Sequence, residues 1–352
     1  FHDEMGEPLP AVGIENGVRS ALAMALRPRT GPPWLWGVTQ TTAARIWTEE
    51  VGLAPGRLVR MGDDENFWPA GAPSDGPTGP GGYCSEIFWD YQSNDDPDDS
   101  PARAEESGRF VEIWNLVFPQ FDVSEPKVDG RYTLRALGRN NIDTGSGLER
   151  LACVLQGKRN NFDIDLFQTI IAAVGEVAGV AYQEGRDAEA DVHLRRVADH
   201  VRAVCFCIAD GALPGNTGRG YIVRRLIRRA TLDLDALGCR AVGLHRVVPA
   251  VVAAMGDAYP ALAGRERLAS DTLAAEERQF RRTLDRGLDL LDKALARHRA
   301  AGETVFSGDD LFDLFTTYGF PPEMTEDLLA AEGFAVDRAR FEARMAEFAE
   351  IS

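Results

Sequence analysis

Cysteine and histidine are both scarce in this sequence. Its 352 residues include five cysteines and five histidines. The cysteines are odd in number and form no C-x-x-C pair, which argues against a disulfide framework and against a structural zinc site. The histidines are scattered along the chain, so the sequence predicts no metal cluster and no zinc. A reducing, cytoplasmic setting fits this cysteine usage.

Long apolar runs are also missing. The longest candidates, such as residues 170–180, are interrupted by glycine and glutamate. None approaches the ~18 uninterrupted apolar residues of a membrane span, so we expect no membrane segment. No charged-then-apolar leader is present, and the chain begins at Phe1 rather than at methionine. We expect from this that the start of the chain is incomplete.

Positive charge is in short supply as well. Lysine and arginine number 38 against 55 aspartates and glutamates, which gives a net charge of −17. This balance argues against a protein that coats nucleic acid non-specifically. One acidic cluster within residues 95–106 reads as a solvated surface loop. Basic residues concentrate between Arg195 and Arg229, which favours a specific binding surface for a polyanion.

The chain changes character along its length. Residues 1–50 contain a short predicted helix over 18–26 and a Pro/Trp-rich link at 32–36. Residues 51–150 alternate short β-like runs with turn signals, including the Gly/Pro-dense segment 71–82, which predicts an antiparallel sheet with long functional loops. From about Gly145 apolar residues recur at helical spacing. One long helix is predicted over about 266–299, with one apolar stripe (Leu273, Phe280, Leu284, Leu288, Leu291 and Leu295).

These patterns predict an α+β fold followed by an all-helical region. We place an antiparallel sheet with flanking helices in residues 1–187 and a helical domain in residues 188–352.

The segment Asn141–Arg150 is the most informative. It reads N-I-D-T-G-S-G-L-E-R, which predicts a strand ending in Asp-Thr-Gly, small residues, and then an amphipathic helix. Backbone N–H groups at such a helix start favour anions, and Arg150 would lie on its first turns. An ordinary turn and helix cap is the alternative, because Asp, Thr and Gly commonly form one.

This segment resembles motif 3 of class II aminoacyl-tRNA synthetases, and specifically that of the alanyl-tRNA synthetase family. Further blocks resemble the same family in its own order. They are Asn66–Trp68, Thr78–Ile87, Glu112–Phe118, Asn161–Phe167, Arg196–His200, Gly215–Arg225 and Tyr318–Pro321. The resemblance covers roughly residues 34–352.

The resemblance implies a pocket for alanine. Asp143 would bind the α-ammonium group, and Gly145 would leave room for a small substrate. Trp68, Asn115 and Val117 would line the space around the methyl group. Bulk must exclude larger amino acids, because one methylene supplies only ~1–3 kcal/mol of discrimination. The alternatives are a core position for Trp68 and a structural amide for Asn115.

The resemblance also implies an ATP site. Gly145, Gly147 and Arg150 would bind ATP together with Mg²⁺, and Asp143 and Arg150 would be the catalytic residues. Activation of alanine to alanyl-adenylate needs mainly positioning and charge neutralisation at the α-phosphate.

The basic stretch resembles the part of the family that approaches the tRNA acceptor stem. The family's asparagine that reads a G·U wobble pair corresponds to Asn216. Arginines at i and i+4 spacing would project from one helix, where the acceptor stem's phosphates and shallow minor groove lie. The implied tRNA-binding residues are Asn216, Arg219, Arg224, Arg225 and Arg228. A solvated basic face is the alternative.

The sequence departs from the family in three places. Motif 1 and most of motif 2 are absent before Phe1, and no editing domain follows. The Cys-rich Gly-Pro-Cys loop has Gly81 and Tyr83 where the family has Cys and Pro. Thr316 stands where the family has the Asp that joins Asn216 in reading the wobble pair, and loss of a carboxylate acceptor weakens such recognition.

Three classes of function stay open at this point. The first is ATP-dependent alanine activation followed by transfer to the 3′ end of alanine tRNA. The second is a paralogue without editing that transfers alanine to a small-molecule acceptor, as in antibiotic assembly. The third is a regulatory protein that only binds tRNA or a partner, against which the intact Asp143, Gly145 and Arg150 set argues.

Overall fold

The computed structural model describes residues 44–53, 58, 62–91, 109–139, 141–186, 188–320 and 322–351. The chain divides into two compact units between Ile164 and Asp165. The helix expected over 18–26, the link at 32–36 and the acidic cluster in 95–106 lie outside the described residues. The functional boundary after residue 187 stays a prediction.

The first unit contains a six-stranded antiparallel sheet. Its order is β5-β4-β2-β3-β6, and β1 pairs with β2 outside this path. The strands are β1 (Phe67–Trp68), β2 (Gly79–Asp90), β3 (Phe110–Val117), β4 (Phe121–Val128), β5 (Arg131–Ala136) and β6 (Asp143–Ser146). Two short helices belong to the same unit, α1 (Asp63–Asn66) and α2 (Leu148–Leu155).

Aromatic residues build the core beside β2. Phe67, Tyr83, Phe121 and Val123 are buried together. The Tyr83 ring meets the Phe67 ring edge-on, with ring centroids 5.0 Å apart, a geometry that the aromatic quadrupole favours.

A buried ion pair fastens the far end of β2. Arg109 Nε and Nη2 donate to the two carboxylate oxygens of Asp90 at 2.7 and 2.8 Å. Both side chains are buried. Removal of either partner would leave an uncompensated charge in the interior.

Two element boundaries differ from the sequence pattern. The Gly/Pro-dense segment 71–82 forms turns and bends up to residue 78, and Gly79–Gly82 begin β2 because they pair with β4 and β1. The strand expected to end at Gly145 instead starts at Asp143 and runs to Ser146, since it takes its register from β3. Tertiary pairing decided both, because glycine-rich sequence carries little strand preference of its own.

The second unit is helical. Its helices are α3 (Asp165–Ala178), α4 (Glu189–Ala209), α5 (Gly218–Ala236), α6 (Val248–Met255), α7 (Pro260–Ala300), α8 (Gly308–Tyr318), α9 (Pro322–Ala331) and α10 (Arg338–Ile351). A small parallel pair, β7 (Val305–Phe306) and β8 (Ala335–Val336), lies among them. The fold class expected from the sequence, an antiparallel sheet followed by a helical region, is confirmed.

The long helix α7 organises this unit. Its predicted apolar stripe is confirmed: Leu273, Phe280, Leu284, Leu291 and Leu295 are buried, and Leu288 packs against the same core. The helix runs from Pro260 to Ala300, longer at both ends than the sequence predicted.

A glycine in α7 admits a ring from the next segment. Phe320 is fully buried against Phe280, with centroids 5.7 Å apart. A Cβ at Gly287 would lie 2.1 Å from Phe320 Cε2. Only glycine gives the ring this room.

Candidate active site and nucleic-acid interface

The register of two neighbouring strands, β3 and β6, brings four predicted pocket residues onto one face of the sheet. Val117 of β3 pairs with Asp143 of β6, and two residues along Asn115 pairs with Gly145. Paired residues point to the same face, and so do residues two apart on a strand. The amino-acid-binding residues implied by the sequence therefore form a two-by-two block.

Trp68, on β1, belongs to the same face of the sheet. It pairs with Gly82, and Gly82 shares its face with Cys84, which pairs with Val117. The indole is 45% exposed, so Trp68 is not a core residue. This exposure leaves the ring free to wall a pocket.

A β-bulge in β3 adds a carboxylate to this face. Ile87 pairs with Trp114 while Phe88 pairs with Glu112, so Ile113 is the extra residue. Without the bulge, Glu112 and Asn115 would point to opposite faces, because they are three positions apart. With it, Glu112 joins the face that carries Asn115.

Arg150 reaches Glu112 from the first turn of α2. Its Nη1 donates to the Glu112 carbonyl oxygen at 2.9 Å and lies 3.3 Å from Glu112 Oε2. The arginine side chain remains 45% exposed. It borders a cavity of about 490 Å³ lined by Tyr91, Phe110, Val111, Glu112, Arg150, Arg159, Asn160, Asn161 and Phe162.

A chain of hydrogen bonds orients Asn115. Its Nδ2 donates to Glu86 Oε1 at 2.9 Å. The Cys84 thiol donates to the same oxygen at 3.3 Å, and Asn66 Nδ2 lies 3.3 Å from the Cys84 sulfur. Burial, followed by the charge of Glu86, raises the pKa of Cys84 to about 12, so the thiol stays protonated and able to donate.

Two amide oxygens of this chain, Asn66 Oδ1 and Asn115 Oδ1, are buried and have no hydrogen-bond partner among the described residues. A buried carbonyl without a donor costs ~1–3 kcal/mol, which a ligand N–H group would offset. Asp143 is exposed on the neighbouring strand, where its Oδ1 accepts from the Thr144 amide at 2.9 Å. Acceptors for a cationic group therefore stand on two adjacent strands.

The glycines of motif 3 have different surroundings. A Cβ at Gly145 would meet no atom within 4 Å, so the space above this position is open. A Cβ at Gly147 would lie 3.1 Å from Arg150 Cδ. The Gly147 amide donates to the Ile113 carbonyl at 3.2 Å, so this N–H is already bonded and is not available to an anion.

The predicted tRNA residues of the helical unit lie around the start of α5. Asn216 and Arg219 are exposed at its N-terminal end. Arg224 donates through Nη1 to Asn216 Oδ1. Its Nε lies 2.9 Å from Glu276 Oε1 on α7. Arg225 is half-buried on the same helix.

Arg228 is turned towards the interior of the helical unit. Its Nε and Nη2 each donate to Glu276 Oε1 at 3.2 Å, and Nη1 donates to the Gly319 carbonyl. The guanidinium carbon lies 5.3 Å from the centre of the Phe280 ring. Burial lowers its pKa below the ordinary arginine value, while the charge of Glu276 acts in the opposite direction. In this arrangement Arg228 joins helices rather than facing solvent.

Thr316 is on the last turns of α8. Its hydroxyl donates to the Phe312 carbonyl at 2.8 Å, a common back-bond within a helix. The α8 helix then ends at Gly319, which has a left-handed conformation with φ of 71°.

Comparison with known proteins agrees with this architecture. The family model described as "tRNA synthetases class II (A)" matches residues 35–352. Alanine–tRNA ligase of Acidithiobacillus ferridurans is 46% identical over 306 residues, which cover 87% of this chain and 33% of that protein. The enzyme named alanine–tRNA ligase of Paracoccus denitrificans is 45% identical over 88% of this chain, and that of Caulobacter vibrioides 44% over 89%.

The chain belongs to the class II tRNA synthetase (A) family. It spans about a third of the length of the curated relatives it matches.

Several residues around this family's site were not identified from the sequence. Glu86 and Glu112 lie within the recognised blocks, but their roles depend on cross-strand partners and on the bulge at Ile113. Arg159 and Tyr91 meet only through folding, with the guanidinium carbon 5.8 Å from the ring centre. Glu276 lies in a helix whose sequence carries no motif.

Among the described residues, no group of three or more histidine, cysteine, aspartate or glutamate side chains could hold a metal ion. No helix in those residues is both long and apolar enough to cross a membrane.

Proposed function

We propose that this chain activates alanine with ATP to form alanyl-adenylate and transfers the alanine to the 3′ end of alanine tRNA. The proposal rests on membership of the family, on relatives that are named alanine–tRNA ligase, and on the order of side chains along one face of the sheet. The cytoplasmic setting expected from the cysteine usage is part of the same proposal.

The order of residues on the sheet carries the proposal. Asp143 and Val117 form one row, Asn115 and Gly145 the next, and Glu112 with Arg150 the last. Each row is two residues further along β2, at Cys84, Glu86 and Phe88, so the first and last rows are ~14 Å apart at ~3.4 Å per residue. An extended aminoacyl-adenylate needs a site for the amino acid at one end and a site for the nucleotide at the other, which is the order of these rows along the sheet.

The amino-acid end would bind alanine by charge and by size. The Asp143 carboxylate and the unpaired Asn115 Oδ1 are acceptors for the α-ammonium group, and charge-assisted bonds contribute ~1.5–3 kcal/mol each. We expect the methyl group to lie in the open space over Gly145, with Val117 and Trp68 as the walls of the pocket. Larger side chains would collide with this boundary, and glycine would lose contact area.

The nucleotide end would bind ATP at the cavity beside Arg150. The guanidinium is planar and half-exposed, which suits stacking on a base or pairing with phosphate. Gly147 allows the Arg150 side chain to lie close to the backbone.

The residues present also fit Mg²⁺. The Glu112 carboxylate faces the same cavity, and Mg²⁺ is commonly bound by one or two carboxylates together with substrate phosphates. Glu112 would hold the ion, whose chemistry there is to neutralise charge on the phosphates. Arg150 and Asp143 would meanwhile orient the two substrates for in-line attack.

The helical unit would bind the tRNA acceptor stem. Asn216 and Arg219 are exposed, and Arg224 joins Asn216. Arg225 and Arg228 belong to the same proposal, although a phosphate contact by Arg228 would require it to leave Glu276 and Gly319. Transfer to a small-molecule acceptor finds no support in these relatives, each of which is named a ligase for tRNA.

Alanine-dependent exchange of pyrophosphate into ATP tests the activation step. We expect the natural full-length protein to require alanine, with glycine and serine as weak competitors. Asp143→Asn keeps the shape and removes the charge, so the alanine KM should rise by roughly ten- to a hundredfold, in line with ~1.5–3 kcal/mol, while the ATP KM changes little. Equal exchange with leucine, or an unchanged alanine KM in the variant, would overturn the proposed substrate or the proposed role.

A further inference from the structure

Glu276 joins two segments that are far apart in sequence. It lies on α7 with 8% of its surface exposed. Its Oε1 contacts Arg224 Nε at 2.9 Å and both Nε and Nη2 of Arg228 at 3.2 Å. One carboxylate therefore holds two arginines of neighbouring α5 turns, which would otherwise repel each other.

Each of these arginines reaches a different segment. Arg224 donates to the side chain of Asn216, which precedes α5. Arg228 donates to the carbonyl of Gly319, which ends α8 just after Thr316. The path Asn216–Arg224–Glu276–Arg228–Gly319 thus connects the two positions that would face the wobble base pair.

The Gly319 end of this path is tightly fitted. Gly319 has a φ of 71° and a Cβ there would lie 2.9 Å from Arg228 Nη1. Phe320 follows and is fully buried against Phe280. The turn after Thr316 is therefore fixed to α5 by one hydrogen bond and to α7 by one buried ring.

We propose that Glu276 is a positioning residue for tRNA, one that sets the separation between Asn216 and the Thr316–Gly319 turn without touching the nucleic acid. This inference rests on the proposed function. Glu276 is nearly buried, so it cannot contact a nucleic acid directly. Its negative charge would also repel phosphate. Its contribution is to hold Asn216 and the Thr316–Gly319 turn at a fixed distance from each other.

The test compares two reactions of the natural full-length protein. Glu276→Gln keeps the shape and removes the charge that holds Arg224 and Arg228 together. We expect kcat/KM for charging alanine tRNA to fall about tenfold, whereas alanine-dependent pyrophosphate exchange without tRNA stays within about twofold. Asp271→Asn is the matched control on the same helix, because Asp271 pairs with exposed Arg267 alone among the described residues, and it should change neither reaction.

A second arm uses the position of Thr316. In a Thr316→Asp background, any preference for an acceptor stem with G·U over G·C should be lost again when Glu276→Gln is added. If Glu276→Gln does not accumulate as folded protein, Arg228→Lys breaks the same path with its charge kept, and the ratio of charging to exchange should fall.

The outcomes separate this inference from the function on which it rests. A wild-type protein that exchanges pyrophosphate with alanine but never charges alanine tRNA would remove the proposed function. Normal charging by Glu276→Gln in a wild-type protein that does charge would overturn the positioning role alone. An equal loss of charging and exchange, with lowered thermal stability, would show that Glu276 only supports the fold.

Discussion

Asn115 owes its orientation to a neighbour on β2. Glu86 accepts its amide hydrogen, and the protonated Cys84 thiol supports Glu86 from the next position on the same face. This arrangement leaves Asn115 Oδ1 buried, with no hydrogen-bond partner in the described part of the chain. Hydrogen bonds between single side chains thus fix the acceptors of the candidate pocket before a ligand binds. This lowers the entropy cost of ordering these side chains on binding.

Gly145 provides a sharp test at the same scale. Because a Cβ there meets no atom within 4 Å, Gly145→Ala should leave the thermal unfolding temperature almost unchanged. The added methyl would occupy the space proposed for the substrate's methyl, so kcat/KM for alanine in pyrophosphate exchange should fall by about 10–200-fold. Activation of glycine should fall less.

Ser146→Ala is the matched control for this change. Ser146 follows on β6 and points to the opposite face, where its hydroxyl donates to the Ile113 carbonyl at 3.2 Å. Its alanine kinetics should stay within about twofold of wild type. Unchanged kinetics in Gly145→Ala would show that Gly145 does not border the substrate.

At the scale of single elements, two irregular features decide where side chains lie: a β-bulge in β3 and a glycine in α7. The bulge at Ile113 brings Glu112 onto the face of Asn115, where Arg150 meets it. The glycine at 287 lets α7 accept the Phe320 ring, which fixes the turn after α8. Each feature interrupts a regular element locally and thereby places one side chain, Glu112 in the first case and Phe320 in the second.

Gly287→Ala tests the second feature. The new methyl would collide with Phe320 Cε2 at 2.1 Å, and overpacking of this kind costs ~1–3 kcal/mol. Alanine's better helix propensity returns only ~0.5–1 kcal/mol. We therefore expect a lower thermal midpoint for the helical signal in circular dichroism.

The same helix offers a control. Gly264 is exposed on α7 and a Cβ there meets nothing within 4 Å. Gly264→Ala should raise the midpoint slightly, because only the propensity term applies. A midpoint that rises equally in both variants would show that Phe320 adapts to the extra methyl.

On the scale of the whole molecule, net charge and the proposed partner oppose each other. The chain carries −17, and nucleic acid is a polyanion, so binding must depend on local arginines. Phosphate contacts position a nucleic acid without reading its sequence. We expect tRNA binding to be weak and steeply salt-dependent, with a slope set by the number of phosphates neutralised.

Thr316→Asp tests sequence reading. Threonine has no carboxylate to accept a hydrogen bond from a guanine amino group. The Thr316 hydroxyl, moreover, already donates to a carbonyl oxygen within α8. The wild type should bind and charge the G·U and G·C forms of alanine tRNA almost equally, and the variant should recover some preference for G·U. Binding titrations and charging assays with the two tRNAs measure this.

Thr317→Asp separates position from charge. It adds the same negative charge one residue away, at another exposed position, and should not restore the preference. A wild-type protein that already rejects the G·C form would show that Asn216 suffices for recognition, or that another residue supplies the missing acceptor.

The sequence by itself determined the family, the order of a sheet followed by helices, and the apolar stripe of α7, because each depends on local spacing of residue types. It also predicted Asp143, Gly145, Asn115 and Arg150 as site residues, because they stand in two of the motifs that resemble the family.

Tertiary structure decided how those residues meet. Register placed Val117 beside Asp143 and Asn115 beside Gly145, and a bulge turned Glu112 to their side. Burial turned Arg228 inward to Glu276. These relations join residues that are distant in sequence, and the free energy that selects them comes from pairing and packing, which no local pattern encodes.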